Sequence, residues 1–343
     1  MTERVRIGVI GTGALGLHHC HTLEYLTPEA ELAVVADVRD EAARAAASLG
    51  SGISVASDYR AILNDRSIQA VVITTPNDTH AQLVREAAEA GKDVFCEKPL
   101  ALDMAGADSA LRAVHGNSVK LQVGFQRRFD PAYRQARRAL LAGDLGSIEL
   151  IVGTTRDPAP PPASYLERSG GFFVDTTIHD YDALRFLTGL EVTNVFAMAT
   201  TLILDDTGSQ PISDTAVTSL RLDNGALATI TSSRRSNYGY DVRMEVAGSK
   251  GKLALGEERQ TAVRSYTEAG VSHDFVGSYW ELFKAAYVGE LLHFVECVAH
   301  DQEPDVTGED GRKALQIALL AEQSAQEGRP LSMDELRWTD AGG

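Results

Sequence analysis

The chain has 343 residues, 44% of them hydrophobic, with a formal net charge of −16 and an isoelectric point near 5.0. That length suggests two domains, each able to bury a full core without disulfides or metals. The acidic balance argues against nucleic acid and anionic membrane surfaces as partners, because both select basic patches.

Three widely spaced cysteines, Cys20, Cys96 and Cys297, form neither a disulfide framework nor a CxxC metal pattern. They fit reduced thiols in the cytoplasm. The stretch Met1-Thr2-Glu3-Arg4 leads straight into a strand pattern without a signal-peptide core, and no apolar run approaches the length of a membrane span.

In chain order, short β-rich runs at 6–10, 32–36, 53–55, 70–73, 93–96 and 120–123 alternate with helical patterns such as 41–49, 58–63, 79–90 and 104–114. Alternation at this pitch predicts a doubly wound parallel sheet. A helix is expected over 131–142, with Pro131 in its first turn. From about 148 the strand-like runs follow one another closely, at 148–155, 192–200, 215–222, 226–233, 241–247 and 252–255, with a helix near 180–187. Asp223-Asn224-Gly225 is a hairpin signal. This suggests a mostly antiparallel sheet, and two long helical patterns, 279–299 and 308–327, close the chain. The expected division is residues 1–125 and 126–343, with packing of the C-terminal helix back on the first domain left open.

Gly11-Thr12-Gly13-Ala14-Leu15-Gly16 follows the first strand and opens a helix, matching G-x-G-x-x-G in the context where that motif has meaning. Gly11 serves the tight turn, Gly13 lets a pyrophosphate approach the backbone, and Gly16 allows helix and strand to close. Asp37 ends the second strand 21 positions after Gly16, where an acid hydrogen-bonds the adenosine ribose and repels a 2′-phosphate. This favours NAD, and the nearby Arg39 keeps NADP open. A second loop, Thr74-Thr75-Pro76-Asn77-Asp78-Thr79-His80, ends the 70–73 strand. Its hydroxyl and amide groups suit ribose and diphosphate, with helix capping by Asp78 or Thr79 as the alternative.

Glu97-Lys98-Pro99 places a cation at the carboxyl end of a parallel strand, where open α/β sheets bind ligands. Pro99 biases Lys98 to an extended backbone, and the Lys98–Pro99 bond is a candidate for the cis form. In Asp175-Thr176-Thr177-Ile178-His179, a helix beginning at Asp175 puts His179 one turn later on the same face. Neutral imidazole accepts a hydroxyl proton while the carboxylate orients it, as alcohol oxidation requires. The alternatives are a helix cap at Asp175 and a core histidine at His179. Asp180 and Asp182 read as surface or capping residues. No third ligand stands at metal-binding spacing from Asp175 and His179, so no metal is assigned.

With these motifs in place, the chain resembles the glucose–fructose oxidoreductase/inositol dehydrogenase family over nearly its whole length, and is most similar to the inositol 2-dehydrogenase branch. Gly124 to Asp130, Arg156 to Pro162 with Gly170-Gly171, Tyr238-Gly239-Tyr240-Asp241 and Phe283 to Glu290 extend the resemblance. It implies a Rossmann domain plus a domain with a large open, mostly antiparallel sheet that forms homotetramers, and NAD-dependent oxidation of a cyclic polyol to a ketone. Lys98 would polarise the reacting oxygen, His179 act as acid/base and Asp175 assist it. Arg127, Asp157, Thr176 and Tyr238 would contact substrate hydroxyls alongside these three. Cofactor contacts would come from Gly11 through Gly16, Asp37, Arg39, Thr74, Thr75, Pro76, Asn77, His80, Glu97 and Lys98.

Two departures bear on the substrate: Thr155 and Asp157 stand where some inositol dehydrogenases carry His and Asn, and Val174 where Arg often precedes the catalytic Asp. A dehydrogenase of another sugar or amino-cyclitol, an NAD-dependent glycosidase and a non-catalytic dinucleotide sensor are the competing readings. A sensor needs none of Lys98, Asp175 and His179.

Overall fold

The computed structural model describes residues 4–204, 213–256, 261 and 263–336; Met1, Thr2 and Glu3 lie outside them. The chain forms two units, one running up to residue 126 and including 287–315, the other made of 127–286 and the chain from 316.

The first unit holds β1 (Val5–Ile10), α1 (Ala14–Tyr25), β2 (Ala30–Ala36), α2 (Asp40–Ala47), β3 (Ser54–Val55), α3 (Tyr59–Asn64), β4 (Ala70–Ile73), α4 (His80–Glu89), β5 (Asp93–Glu97), α5 (Met104–Asn117) and β6 (Leu121–Gly124). The strands form one parallel sheet in the order β3-β2-β1-β4-β5-β6. The order reverses between β1 and β4, which makes their carboxyl ends the switch point where such sheets bind ligands. β4 is buried at all four positions, as a central parallel strand with helices on both faces must be.

The second unit holds α6 (Pro131–Leu141), β7 (Ile148–Arg156), α7 (Ala163–Leu166), α8 (Ile178–Thr188), β8 (Val192–Thr200), β9 (Thr215–Leu222), β10 (Leu227–Ser233), β11 (Asp241–Gly248), β12 (Gly251–Leu255), a small hairpin of β13 (Arg264–Thr267) and β14 (Gly270–His273), and β15 (Leu331–Ser332). Asp130 caps α6 by accepting from the Ala132 and Tyr133 amides, with Pro131 in the first turn. Seven strands form one sheet, β12-β11-β7-β10-β9-β8-β15. β9 alternates buried and outward residues along its length, the period of a sheet with one covered face. The hairpin expected at Asp223–Gly225 joins β9 to β10, which pair antiparallel.

One pairing differs from a simple antiparallel order: β7 and β10 run parallel at the sheet's centre. Strand runs alone do not fix this, because partners far apart in sequence are chosen by the crossover between them. The small hairpin and β15 also escaped the strand pattern.

The two closing helices are α9 (Tyr279–Ala299) and α10 (Gly308–Glu327). Residues 287–315 belong to the first unit, so the stretch that returns to it comprises most of α9 and the start of α10. The reason is apolar: Leu291, Phe294 and Val295 of α9 join Val5, Ile7, Val9, Leu32, Val72 and Phe95 in one buried cluster. The Phe95 and Phe294 rings meet edge-to-face at 5.9 Å. No described helix is long and apolar enough to cross a membrane.

Candidate active site

The glycine loop sits at the switch point of the first sheet. Gly11 has φ +92°, and a Cβ there would lie 2.8 Å from the Thr74 backbone. Glycine is therefore required twice over, by conformation and by space. Thr74 donates its hydroxyl to the Gly11 carbonyl at 2.5 Å, tying the end of β4 to the loop after β1. Gly16 allows the same closeness from the helix side, since a Cβ would meet the Gly11 carbonyl and lie 2.6 Å from Thr74 Oγ1.

α1 starts after Gly13 with no capping side chain and no acidic residue in its first turn. The unpaired N–H groups and positive dipole end are thus left to an anion, which is the fit a dinucleotide diphosphate needs. Ala14 is exposed, Leu15 half-buried and Thr12 buried.

Asp37 accepts from the Thr12 amide at 2.7 Å and the Arg39 amide at 2.8 Å. Partial burial works against its charge, but these amides and the Arg39 guanidinium outweigh it and hold the carboxyl below the usual range. An ionised, oriented acceptor therefore stands at the end of β2. The Arg39 side chain is largely exposed and reaches over the loop to within 3.6 Å of where a Gly13 Cβ would stand.

In the second loop, Thr75 and Thr79 share a hydrogen bond at 2.6 Å and Thr79 also donates to the Pro76 carbonyl. Asn77 is buried in a short 3-10 turn. His80 is buried, with Nδ1 2.7 Å from the Pro99 carbonyl and Nε2 2.9 Å from that of Thr75. Burial pushes its pKa down against the pull of the two carbonyls. The neutral ring donates from one nitrogen at a time, so His80 hydrogen-bonds either this loop or the Pro99 segment, depending on its tautomer.

At the tip of β5 the Lys98–Pro99 bond is cis. Lys98 is half-buried. The Glu97 carboxylate turns inward and meets buried His19 at 2.7 Å, so its side chain is spent inside the unit.

The second unit carries the other candidates. Asp175 and Thr176 lie in a π-helical turn, Phe173–Thr177, that leads into α8. Such turns recur at functional sites because they re-aim side chains. Asp175 is buried. It accepts from the Tyr165 hydroxyl at 2.6 Å and from Arg234 Nη2 at 2.9 Å. Arg234 is itself buried, lies over the Phe172 ring at 5.3 Å, and holds Nη1 3.9 Å from Asp157. The parallel pairing of β7 with β10 explains this array, since Asp157 and Arg234 follow the matching ends of neighbouring strands. At the adjacent start of β11, the Tyr238 hydroxyl accepts from Arg156 and donates to Asp241, both at 2.8 Å. His179 is half-buried on the first turn of α8.

Two expectations are corrected here. Asp180 and Asp182 are buried, not surface caps. Asp180 accepts from Arg127 at 2.7 Å and from Thr155 at 2.9 Å, and Asp182 binds Arg128 through two nitrogens. Arg127 also donates to Thr155. Burial disfavours its charge, but Asp180 more than compensates and holds the guanidinium firmly protonated. The paired spacing of Arg127-Arg128 with Asp180 and Asp182 was the available signal. Tyr165 and Arg234 were missed, because only the tertiary fold brings them to Asp175. Among the described residues, one trio has converging metal-type ligand atoms, His19, Glu97 and Glu290, remote in sequence from the Asp175–His179 pair.

The chain matches two family models in succession, the oxidoreductase family with an NAD-binding Rossmann fold over residues 5–125 and the GFO/IDH/MocA C-terminal domain over 133–254. It is 38% identical over 341 residues to scyllo-inositol 2-dehydrogenase (NAD(+)) of Bacillus subtilis, covering 98% of both chains. It is 37% identical to myo-inositol 2-dehydrogenase of Thermotoga maritima, covering 97% of this chain and 99% of that one. Its structure is similar to that of scyllo-inositol dehydrogenase from Lactobacillus casei with bound NAD(H) and scyllo-inositol, at a TM-score of 0.90 and 28% identity, over 97% of this chain and all of the other. A glycine loop at the switch point of a 3-2-1-4-5-6 sheet, followed by an open sheet domain and matched along nearly the entire length, leaves one assignment: the chain belongs to the GFO/IDH/MocA family of oxidoreductases.

Proposed function

We propose that this protein is an NAD-dependent dehydrogenase that oxidises one secondary alcohol of a cyclic polyol to a ketone, with myo-inositol to 2-keto-inositol as the reaction. The full-length similarity to enzymes named as myo- and scyllo-inositol 2-dehydrogenases carries this reading. Bound NAD supplies the hydride acceptor, chemistry no side chain provides. Gly11 to Gly16 and Asp37 hold the dinucleotide, with Asp37 selecting NAD over NADP.

Lys98, Asp175 and His179 are the catalytic residues in this reading. His179 takes the hydroxyl proton, Lys98 stabilises the alkoxide that forms, and Asp175 orients the imidazole. Asp157, Thr176 and Tyr238 contact substrate hydroxyls. Arg127, already bonded to Asp180 and Thr155, supports them from behind.

The outward face of the seven-stranded sheet exposes Leu150, Val152, Met198, Val217 and Leu227, and cross-strand register sets Leu150 beside Leu227 and Met198 beside Val217. It is the self-association surface of a homotetramer, measurable by light scattering on the eluting protein. Three buried, unbridged cysteines suit the reducing cytoplasm.

The test is a spectrophotometric screen of inositol isomers and monosaccharides with NAD and NADP. NADH accumulation with an inositol is the expected outcome. Sugar release without net NADH would establish the glycosidase chemistry instead, and tight NAD binding without any turnover a sensor. Lys98→Ala is expected to abolish turnover while sparing NAD affinity; near-normal turnover would remove Lys98 from the mechanism.

A further inference from the structure

Beneath the tip of β5, three ionisable side chains from three elements meet out of contact with solvent: His19 of α1, Glu97 of β5 and Glu290 of α9. Glu290 and His19 are completely buried and Glu97 nearly so. One ligand-type atom from each lies within 4.8 Å of the others. His19 Nε2 is 2.7 Å from Glu97 Oε1, which assigns the proton to Nε2. Among the described residues, neither carboxyl oxygen of Glu290 has a hydrogen-bond partner.

The fold makes room for this group. A Cβ on Gly124 of the neighbouring strand would stand 2.8 Å from Glu97 Oε2. The Phe95 and Tyr287 rings flank His19 at 5.5 and 6.1 Å, and Gln122 fixes the α9 backbone by donating to the Glu290 carbonyl.

Two buried carboxylates facing each other without a cation between them are untenable, so one must be neutral or an ion must join them. Glu97 is the one charged group acting on Glu290, and burial with that repulsion pushes the Glu290 carboxyl well up. Cys96, His80 and Lys98 are the further titratable groups in electrostatic reach of Glu97 or its neighbour. A neutral Glu290 turns an orphan acceptor into a donor, with a Glu97 oxygen within 4.8 Å to receive its proton.

We propose that Glu290 is a protonated carboxylic acid that shares its proton with Glu97, and that His19 and Glu290 together are positioning residues for the Glu97-Lys98 segment. The Lys98 part rests on the function proposed above; the shared proton does not. Glu97 then receives one hydrogen bond from the helix that follows the glycine loop and one from α9. The dinucleotide loop and the reactive cation are thereby referenced to a single carboxylate.

The test uses the full-length protein. In infrared spectra the wild type shows the C=O stretch of a protonated carboxyl, and Glu290→Gln removes it. Because folding holds a proton on Glu290 that the unfolded chain releases above its ordinary range, stability is lost as pH rises toward the folded value. Glu290→Gln, which is neutral throughout, gains thermal midpoint over wild type increasingly from about pH 5 to about pH 8. It keeps kcat within about twofold, whereas Glu290→Ala lowers kcat about tenfold or more with KM for NAD unchanged.

A wild-type spectrum without the band overturns the shared proton. So does a stoichiometric divalent cation in the purified protein whose chelation, like Glu290→Gln, destabilises it. Equal kcat in Glu290→Ala and wild type overturns the positioning role. Normal turnover in Lys98→Ala with the band intact refutes the reading of Lys98 alone.

Discussion

Arg234 offers the most demanding test of the substrate-side array. It is 2% exposed, and the Asp175 it binds is 6% exposed. At 2.9 Å and an effective dielectric constant of about 20, the gross attraction is about 6 kcal/mol. Desolvating both ions costs several kcal/mol each, so the intact pair is worth little net.

Removing one partner is different: Arg234→Met preserves bulk but takes the buried cation away from the buried carboxylate, a loss of about 3–5 kcal/mol. At 2–4 °C per kcal/mol for a unit of this size, even the lower figure drops the thermal midpoint by about 6–12 °C. Asp175 limits that cost by taking up a proton, which would weaken it in its proposed role of orienting His179. Turnover therefore falls, and the acidic limb of the pH–rate profile moves to higher pH. Calorimetry and a pH series on the single variants and on Arg234→Met/Asp175→Asn measure both effects. In the double variant the stranded charge is gone, so stability recovers relative to Arg234→Met. Strict additivity within about 0.5 kcal/mol, or an unshifted profile with normal kcat, would refute the coupling.

Other outcomes are equally specific. Gly16→Ala forces α1 away from the Gly11 carbonyl and Thr74 Oγ1, at about 1–3 kcal/mol, and titration calorimetry is expected to find NAD affinity at least about tenfold weaker. Asp37→Ala relaxes the preference for NAD; an unchanged NAD/NADP ratio of kcat/KM would reduce Asp37 to a strand-end residue. Burial raises the thiols, Cys20 to about 12 and Cys297 to about 11, so the native protein reacts with Ellman's reagent far more slowly than the unfolded chain. Rapid native labelling would contradict the burial of these side chains.

The first sheet was readable because its signals are local: an apolar run, a glycine loop and an acid at fixed offset each sit within a few residues. β4, α9 and α10 are set by their own periodicity, and the structure keeps the expected bounds. The site was only half readable for the opposite reason. Asp175 stands out beside His179, but what holds it, Tyr165 and Arg234, comes from chain segments 10 and 59 positions away. Their approach depends on β7 and β10 running parallel, a choice made by long-range topology. Asp180 and Asp182 were misread because charge in a helix ordinarily faces water; burial became tolerable only once Arg127 and Arg128 supplied partners. The trio of His19, Glu97 and Glu290 spans nearly the whole sequence and has no local signature.

The return of residues 287–315 to the first unit has a consequence for biosynthesis. A ribosome releases the six parallel strands long before it makes Leu291, Phe294 and Val295, which complete their core. At about 5–20 residues per second, the nascent sheet waits roughly ten to thirty seconds with the side of Phe95 uncovered while the whole second unit is translated. The second unit in turn waits for β15, which pairs with β8. The first unit cannot finish before residues 287–315 are made, nor the second before β15, so each is most exposed to chaperones and proteases until then.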